Sequence, residues 1–524
     1  MTSTPPALPR KRLPIGIQTF REIREEGHYY VDKTGFAVDL VDSGKYYFLS
    51  RPRRFGKSLF LDTLKEMFEG NRALFAGLAA DARWDWSKKY PVIRISFGAG
   101  VSGSVTALNH VLHQQLSQYE QQFGLSAAFP DLRSRFVDLI ARVHAQSGQR
   151  VVVLVDEYDK PILDRIEQPE LALPIREALK DFYSVIKDSD SHIRFAFLTG
   201  VSKFSKVSLF SGLNNLKDIT LDARYSDICG YTDFDVDTAF SPELLGLDRE
   251  EIRQWYNGYN WLGTSVYNPF DLLLLFDSRK FRPYWFETGT PTFLVKLLQQ
   301  RQQFTPELSR IVAPEALLST FDVDNIPVEA LLFQTGYLTI ASAAAIPGRL
   351  ELTLKYPNRE VQASLNDSLL QSLCGGLALP GPQISRLYKL LLAHDVAGLK
   401  DLFYAFYASI PHDWYRKNEL SGFEGYYASI FYSYFAALGL DIRLEDATSR
   451  GRIDMAVLFN AQVYLFEFKV VELTPEGRAL QQIKDKGYAD KYQGRNEPVH
   501  LIGVEFSRSS RNIVGFEVET LGGA

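Results

Sequence analysis

Cysteine is nearly absent: Cys229 and Cys374 are the only two in 524 residues. No zinc-ligand spacing or disulfide framework can be built from them, which fits a reducing compartment and two buried thiols. Long apolar runs are missing too. The most apolar stretch, Phe270 to Phe276, is far too short to span a bilayer. The opening residues, MTSTPPALPRKRLPIG, hold no signal-peptide core. A cytoplasmic protein with no membrane contact is therefore expected. A basic excess is lacking as well, since the formal net charge is -5. That excludes a uniformly basic coat for nucleic acid and confines any such contact to local patches. Neither an internal repeat nor a low-complexity tract occurs, which excludes solenoid and disordered classes.

What is present is apolar and aromatic material, 46% and 13% of the chain, enough for two or three domains with cores of their own. From Gly27 to about Gly230 short apolar runs alternate with amphipathic stretches, the pattern of a parallel sheet wrapped by helices. The expected strands are Tyr46–Ser50, Val92–Ser96, Val151–Val155 and Phe195–Thr199. Between Thr232 and Asp413 strand signals thin out. Arg249–Tyr256, Pro291–Gln300 and Ile384–Tyr407 read as helices, interrupted by aromatic loops at 255–261, 266–270 and 283–291 that fit ordinary core aromatics at turns. From Phe423 the order becomes a helix to about Leu438, a hairpin from Arg452 to Val470, a helix near Leu480–Tyr492 and a strand at His500–Phe506.

In YYFLSRPRRFGKSLFLDTL, residues 46–64, an apolar strand enters a loop ending Arg54-Phe55-Gly56-Lys57-Ser58 and then an amphipathic helix. Backbone N–H groups at a helix start point at an anion; Lys57 would reach the β- and γ-phosphates, and the Ser58 hydroxyl would ligate Mg2+. The usual first glycine of such a loop is replaced by Arg51, and a Gly-Lys-Ser tripeptide alone fits a lysine at a helix start equally well. VVVLVDEYDK, residues 151–160, adds a buried strand ending in Asp156, which would hold Mg2+, and Glu157, which would orient or deprotonate water. A third strand ends at Thr199, followed by Ser202 and Lys203, where a polar side chain would sense the γ-phosphate. Arg53, Arg54 and Arg224 are all candidate arginine fingers.

RIDMAVLFNAQVYLFEFK, residues 452–469, reads as two strands joined by an Asn460-Ala461 turn. A two-residue turn puts Asp454 opposite Glu467, and alternation adds Lys469 to the same face. Two carboxylates and a lysine suit one hard divalent cation, Mg2+ or Mn2+, with Lys469 positioning the nucleophile. The same charges also fit a hairpin with one solvated face, and a slip of one residue would scatter them. In the preceding helix Glu424 shares its face with Tyr427, Ala428, Phe431 and Phe435, where a carboxylate needs a structural partner or a metal.

YYVDKT at 29–34, RPRRFGKS at 51–58, VDEYDKP at 155–161, TGVSKFSKVSLFSGLNNL at 199–216 and YNPF at 267–270 together resemble the bacterial and archaeal AAA-ATPase-like family with a C-terminal PD-(D/E)XK nuclease domain. The likeness covers nearly everything from Leu13 onward, and in that family RPRRFGKS is the usual phosphate loop. It implies an α/β fold in parts: a flexible lead-in at 1–12, an AAA-ATPase-like P-loop domain with a parallel sheet and flanking helices at 13–230, a mostly helical middle region at 231–412, and a restriction-endonuclease-like domain at 413–524. It also implies that Glu424 is the acid of that fold's first helix and that Gln482 and Tyr488 belong to its glutamine-and-tyrosine helix. The expected function is ATP binding and hydrolysis coupled to cleavage of nucleic acid, DNA ahead of RNA, in defence or mobile-element biology. The alternatives are a signalling ATPase whose last domain binds a partner or nucleic acid without cutting, and an inert site in which nucleotide is a structural ligand. A homo-oligomer suits a P-loop ATPase, although no interface is legible in the chain.

Overall fold

The structure is a computed structural model. It describes residues 10–98, 103–203, 215–287, 294–295, 297–298, 308–318, 323, 326–373, 381–409, 424–448, 451–510 and 512–522. Two compact units emerge, one of Met1–Gly289 with Ile311–Asn358 and one of Thr290–Arg310 with Arg359–Ala524.

The first unit is built on five parallel strands, β1 (Tyr46–Ser50), β2 (Val92–Ser96), β3 (Val151–Asp156), β4 (Ile193–Gly200) and β5 (Lys217–Asp218), in the order β2-β3-β4-β1-β5. Strands β1 and β3 are buried throughout, as expected where helices cover both faces. The longest helices among these strands are α1 (Lys57–Phe68), α2 (Val105–Gln122), α3 (Leu132–Ser147) and α4 (Pro169–Asp188). Register aligns Ser50 with Gly200 and Ser96 with Asp156. The strands therefore end at one edge, where open α/β sheets bind ligands. Cys229 is buried, whereas Cys374 lies outside the described residues.

Beyond the sheet come α5 (Arg249–Tyr256) and α6 (Pro269–Ser278), the latter opened by Asn268, whose side chain accepts the Phe270 N–H at 2.9 Å. Within the region read as mostly helical stands a small antiparallel sheet, β6 (Ile311–Pro314), β7 (Thr339–Ile346) and β8 (Arg349–Lys355), ordered β6-β8-β7. β6 is only four residues long and β7 is a largely exposed run of small residues, TIASAAAI, so neither shows a clear alternation, whereas β8, RLELTLK, does alternate and was passed over. The helix expected at Pro291–Gln300 falls largely outside the described residues.

The second unit holds α7 (Arg359–Leu373), α8 (Gly381–Leu392), α9 (Val396–Ser409), α10 (Glu424–Ala436) and α11 (Arg478–Asp485) around a sheet of β9 (Asp441–Thr448), β10 (Gly451–Phe459), β11 (Gln462–Val471), β12 (Val499–Ser507) and β13 (Ile513–Leu521). The order is β13-β12-β11-β10-β9, with β11 and β12 parallel and the other pairs antiparallel. One face packs Phe466, Phe468 and Phe506 against Tyr427, Phe431 and Phe435 of α10; the other packs Ile453, Leu465 and Leu501 with Ile483 and Tyr488. The single helix expected over Ile384–Tyr407 is two, because His394 takes φ 54° and Asp395 then caps α9 by accepting the Gly398 N–H at 2.8 Å. Gly487, at φ 56°, likewise ends α11 before Tyr492, and a 3-10 segment, Tyr488–Arg495, follows.

Candidate active sites

The phosphate loop leaves β1 at Ser50 and enters α1 through Gly56, whose φ of 92° is one a side chain disfavours although space for a Cβ exists. Lys57 is buried, and its Nζ donates to the carbonyls of Arg51 and Pro52, both at 2.8 Å. Those neutral oxygens are its only hydrogen-bond partners among the described residues. Burial lowers its pKa, and the nearby carboxylates of Asp156, Asp159 and Glu157 resist that shift. A buried ammonium without a paired anion fits a phosphate. Ser58 follows, half-buried, in the first turn of the helix.

Asp156 ends β3 with both oxygens engaged. Thr199 Oγ1 donates to Oδ1 at 3.0 Å and the Arg94 guanidinium to Oδ2 at 2.9 Å. Arg94 also reaches Asp62 Oδ1 on α1 at 3.1 Å, and Asp62 accepts the Phe20 N–H at 2.7 Å. Glu157 has φ 53°, and burial raises its pKa. Thr199 thus aligns Asp156. Ser202 donates to the buried Asp159, which also accepts the Val201 and Ser202 N–H groups, and Lys203 pairs with Asp218. Of the three candidate fingers, Arg224 is held by Asp222 at 2.9 Å, Arg53 lies 4.0 Å from Asp164, and Arg54 lies 4.7 Å over the Phe270 ring.

The aromatic loops acquire a role here. Phe55 meets Tyr259 and Trp261 edge-on at 4.7 and 5.6 Å, Trp285 Nε1 donates to the Arg53 carbonyl at 3.1 Å, and Phe270 underlies Arg54. Arg51 is fully buried and turned away from the cradle. Its guanidinium donates to the carbonyls of Ser50, Thr220 and Tyr225 at 2.8, 2.9 and 3.0 Å. An arginine stands where many loops have glycine because it ties the loop to the strand-following segment 220–226.

In the second unit the Asn460-Ala461 turn has positive φ at both residues, 50° and 56°. Met455 pairs with Phe466 and Phe459 with Gln462, the register expected for a two-residue turn. The ladder ends one pair short of Asp454, and the Phe468 N–H goes to Asp454 Oδ2 at 2.8 Å. Glu467 is buried at 1% exposure; Lys469 Nζ lies 3.2 Å from its Oε1, and Gln482 Nε2 donates to the same atom. Burial, then the Asp454 charge, pushes its carboxyl up to about 7, against the pull of Lys469. Its Oε2 is enclosed with no hydrogen-bond partner among the described residues. An orphaned carboxylate oxygen beside a second carboxylate fits a hard cation, although no three His, Cys, Asp or Glu side chains cluster as a metal cage among the described residues. Tyr488 is buried with its hydroxyl over Gly451. Glu424 opens α10, and its side chain lies outside the described residues.

Sequence reasoning passed over Arg94, Asp159 and Glu505. Arg94 and Glu505 each had a signal, a charge inside an apolar strand, VIRIS and VHLIGVEFS.

A parallel sheet turning through a phosphate loop, together with a mixed sheet bearing Asp454, Glu467 and Lys469, defines a class: an ATPase-like chain with a nuclease-fold domain. The family model described as predicted AAA-ATPase matches residues 14–210, and that of the PD-(D/E)XK nuclease superfamily matches 422–516. The chain belongs to the family of predicted AAA-ATPases that carry a C-terminal PD-(D/E)XK nuclease-superfamily domain. It is 64% identical to an uncharacterized protein in the vnfD 5′ region of Azotobacter chroococcum mcd 1, over 98% of this chain and all of that one. A structure of the Aeropyrum pernix ORC1 protein in complex with DNA overlaps 67% of this chain and 96% of its own at 12% identity and a TM-score of 0.27, too low to build on. No described helix is long and apolar enough to cross a membrane.

Proposed function

We propose that this protein binds and hydrolyses ATP and that its nucleotide state governs metal-dependent cleavage of phosphodiester bonds in nucleic acid, DNA ahead of RNA. The observation that carries the reading is the buried Glu467 oxygen left unpartnered between Asp454 and Lys469. Asp454 and Glu467, with Glu424 a further candidate, would hold Mg2+ or Mn2+, which supplies a Lewis acid and an acidified water when bound. Lys469, 3.2 Å from Glu467 Oε1, would steady the nucleophile and the phosphate. Gln482 occupies Glu467 Oε1 and so leaves Oε2 for the ion.

At the other site Lys57 would meet the β- and γ-phosphates and the loop amides would cradle them, with Ser58 and Asp156 holding Mg2+. Glu157, its carboxyl raised by burial, is the base for an attacking water. In this reading residues 13–230 turn over nucleotide, 231–412 relay its state and 413–524 cut. The family suggests a role in defence or mobile-element biology, the composition a cytoplasmic setting, and the P-loop site a homo-oligomer.

The test is cleavage of supercoiled, linear and single-stranded DNA and of RNA by purified protein with Mg2+ or Mn2+, with and without ATP, beside Lys469→Ala. Cutting that disappears in the variant supports the nuclease, and its dependence on ATP supports the coupling. Equal silence from both proteins on every substrate leaves an ATPase whose last domain binds without cutting.

A further inference from the structure

Glu505 is 2% exposed, and both of its carboxylate oxygens are engaged. It pairs with Lys469 in the parallel ladder of β11 and β12, two residues beyond the pair of Glu467 with Gly503. Its Oε2 accepts the N–H groups of Glu476 and Gly477 at 2.5 and 3.1 Å, and its Oε1 those of Arg478 and Ala479 at 2.6 and 3.3 Å. Those of Gly477, Arg478 and Ala479 are donors that the start of α11 would otherwise leave unpaired, and that of Glu476 immediately precedes them. The capping position itself is Gly477, which has no side chain to serve them. An ordinary side-chain cap satisfies one such donor. Here a carboxylate from another strand satisfies three and the N–H before them, with the helix dipole adding to the attraction.

The same strand fixes the helix at a second point. Gly503 lets α11 come so close that a Cβ there would stand 2.3 Å from Leu480 N. Between them, Glu505 and Gly503 set the height and rotation of an eight-residue helix too short to be stable alone. From that helix Gln482 donates to Glu467 Oε1.

We propose that Glu505 is a positioning residue of the nuclease-fold centre. By clamping the start of α11 to β12 it holds Gln482 against Glu467, which turns the other carboxylate oxygen toward the metal position. The inference rests on reading that centre as a divalent-metal site.

The test uses the full chain without nucleotide, with Mn2+ as the probe, titrated by electron paramagnetic resonance. The variants are Glu505→Gln, Gln482→Ala, their double mutant and Asp454→Asn, each checked by thermal melting and by amide exchange over 476–479. Glu505→Gln keeps the size of the side chain and one acceptor oxygen, so it serves where Glu505→Ala fails to fold. Expected is about a tenfold loss of Mn2+ affinity in Glu505→Gln and in Gln482→Ala, the usual size for an indirect support of a metal ligand, with the double mutant no weaker than either. Faster exchange at 476–479 in Glu505→Gln with unchanged Mn2+ affinity would reduce Glu505 to a helix cap and overturn the proposal. Multiplying losses in the double mutant would do the same, because the two residues would then act separately. If the affinity of the wild type is indifferent to Asp454→Asn, the metal-site reading fails, and the proposal falls with it.

Discussion

The guanidinium carbon of Arg51 lies 4.0 Å over the ring of Trp261, so an arginine at the head of the phosphate loop faces inward, stacked and hydrogen-bonded to carbonyls. Arg51→Gly, which restores the commoner loop residue, therefore destabilises: it strands three buried carbonyls and empties the space beside Trp261. The expected loss is about 3–5 kcal/mol, read by urea unfolding followed through tryptophan fluorescence. Arg51→Lys does not rescue it, since an ammonium cannot bridge the same fork or stack on the ring. A change below about 1 kcal/mol would remove Arg51 from the architecture of the loop.

Lys57 leads to a less obvious expectation. Because its buried ammonium rests on two neutral carbonyls, Lys57→Ala leaves the nucleotide-free protein at least as stable as wild type, relieved of a desolvated charge. What disappears is the rise in melting temperature that ATP gives by mass action. Glu157→Gln keeps that rise and stops phosphate release. Loss of nucleotide binding in Glu157→Gln would instead make Glu157 part of the fold of the site.

Arg94 joins β2 to both β3 and α1 through Asp156 and Asp62. Arg94→Met leaves two buried carboxylates without the cation they share, and about 3 kcal/mol or more of stability is lost. Asp62→Asn in the Arg94→Met background recovers part of it. Without that recovery in a double-mutant cycle, the three groups are not one network.

Arg94 also marks where the reach of sequence ends. The four longer strands of the first sheet show as apolar runs because they are largely buried, β1 and β3 on both faces, and the β10–β11 register follows from a turn of two residues with positive φ. Side chains that act through other side chains leave no such trace. Arg94 looks like an interruption of VIRIS, and Glu505 like a polar residue in a strand, until the fold brings Asp156 to the one and the start of α11 to the other. Strands β9 and β13 escaped for a different reason. Each has a mixed face, DIRLEDAT and IVGFEVETL, with charge and glycine diluting the alternation. Burial of Glu467, and with it the unpartnered oxygen, depends on the helix α11 that covers it.

That burial has a pH signature. The carboxyl of Glu467 rises from 4.5 to about 7 in the fold, so the folded state favours its protonated form. The metal-free protein is therefore most stable below pH 4.5 as far as this group is concerned, and the contribution is lost as pH rises through about 7. The size is at most about 3 kcal/mol. Melting in EDTA at pH 5.5 and 8 should show the decline in wild type and none of it in Glu467→Gln, which is uncharged at both. Mn2+ competes with the same proton, so it binds more weakly at pH 6 than at pH 8. A decline that survives in Glu467→Gln would assign the titration to another group.

The Trp285 indole tests whether the middle aromatics do more than fill a core. Its Nε1 donates to the Arg53 carbonyl, its ring packs on Tyr337 at 5.2 Å, and the backbone of Gly336 stands so close to Pro52 that a Cβ would lie 2.8 Å from that ring. The loop that must cup phosphates is therefore held from outside by a segment more than 200 residues later. Trp285→Phe keeps most of the ring packing and removes one hydrogen bond worth about 1 kcal/mol. If the bond keeps the loop in its binding shape, affinity for a fluorescent ATP analogue falls about fivefold while the melting temperature without nucleotide hardly moves. Trp84→Phe is the control, because the buried Trp84 Nε1 has no hydrogen-bond partner to lose among the described residues. Equal affinity in Trp285→Phe and wild type would return the aromatic loops to plain core packing; a selective loss makes them the route by which the middle of the chain senses nucleotide.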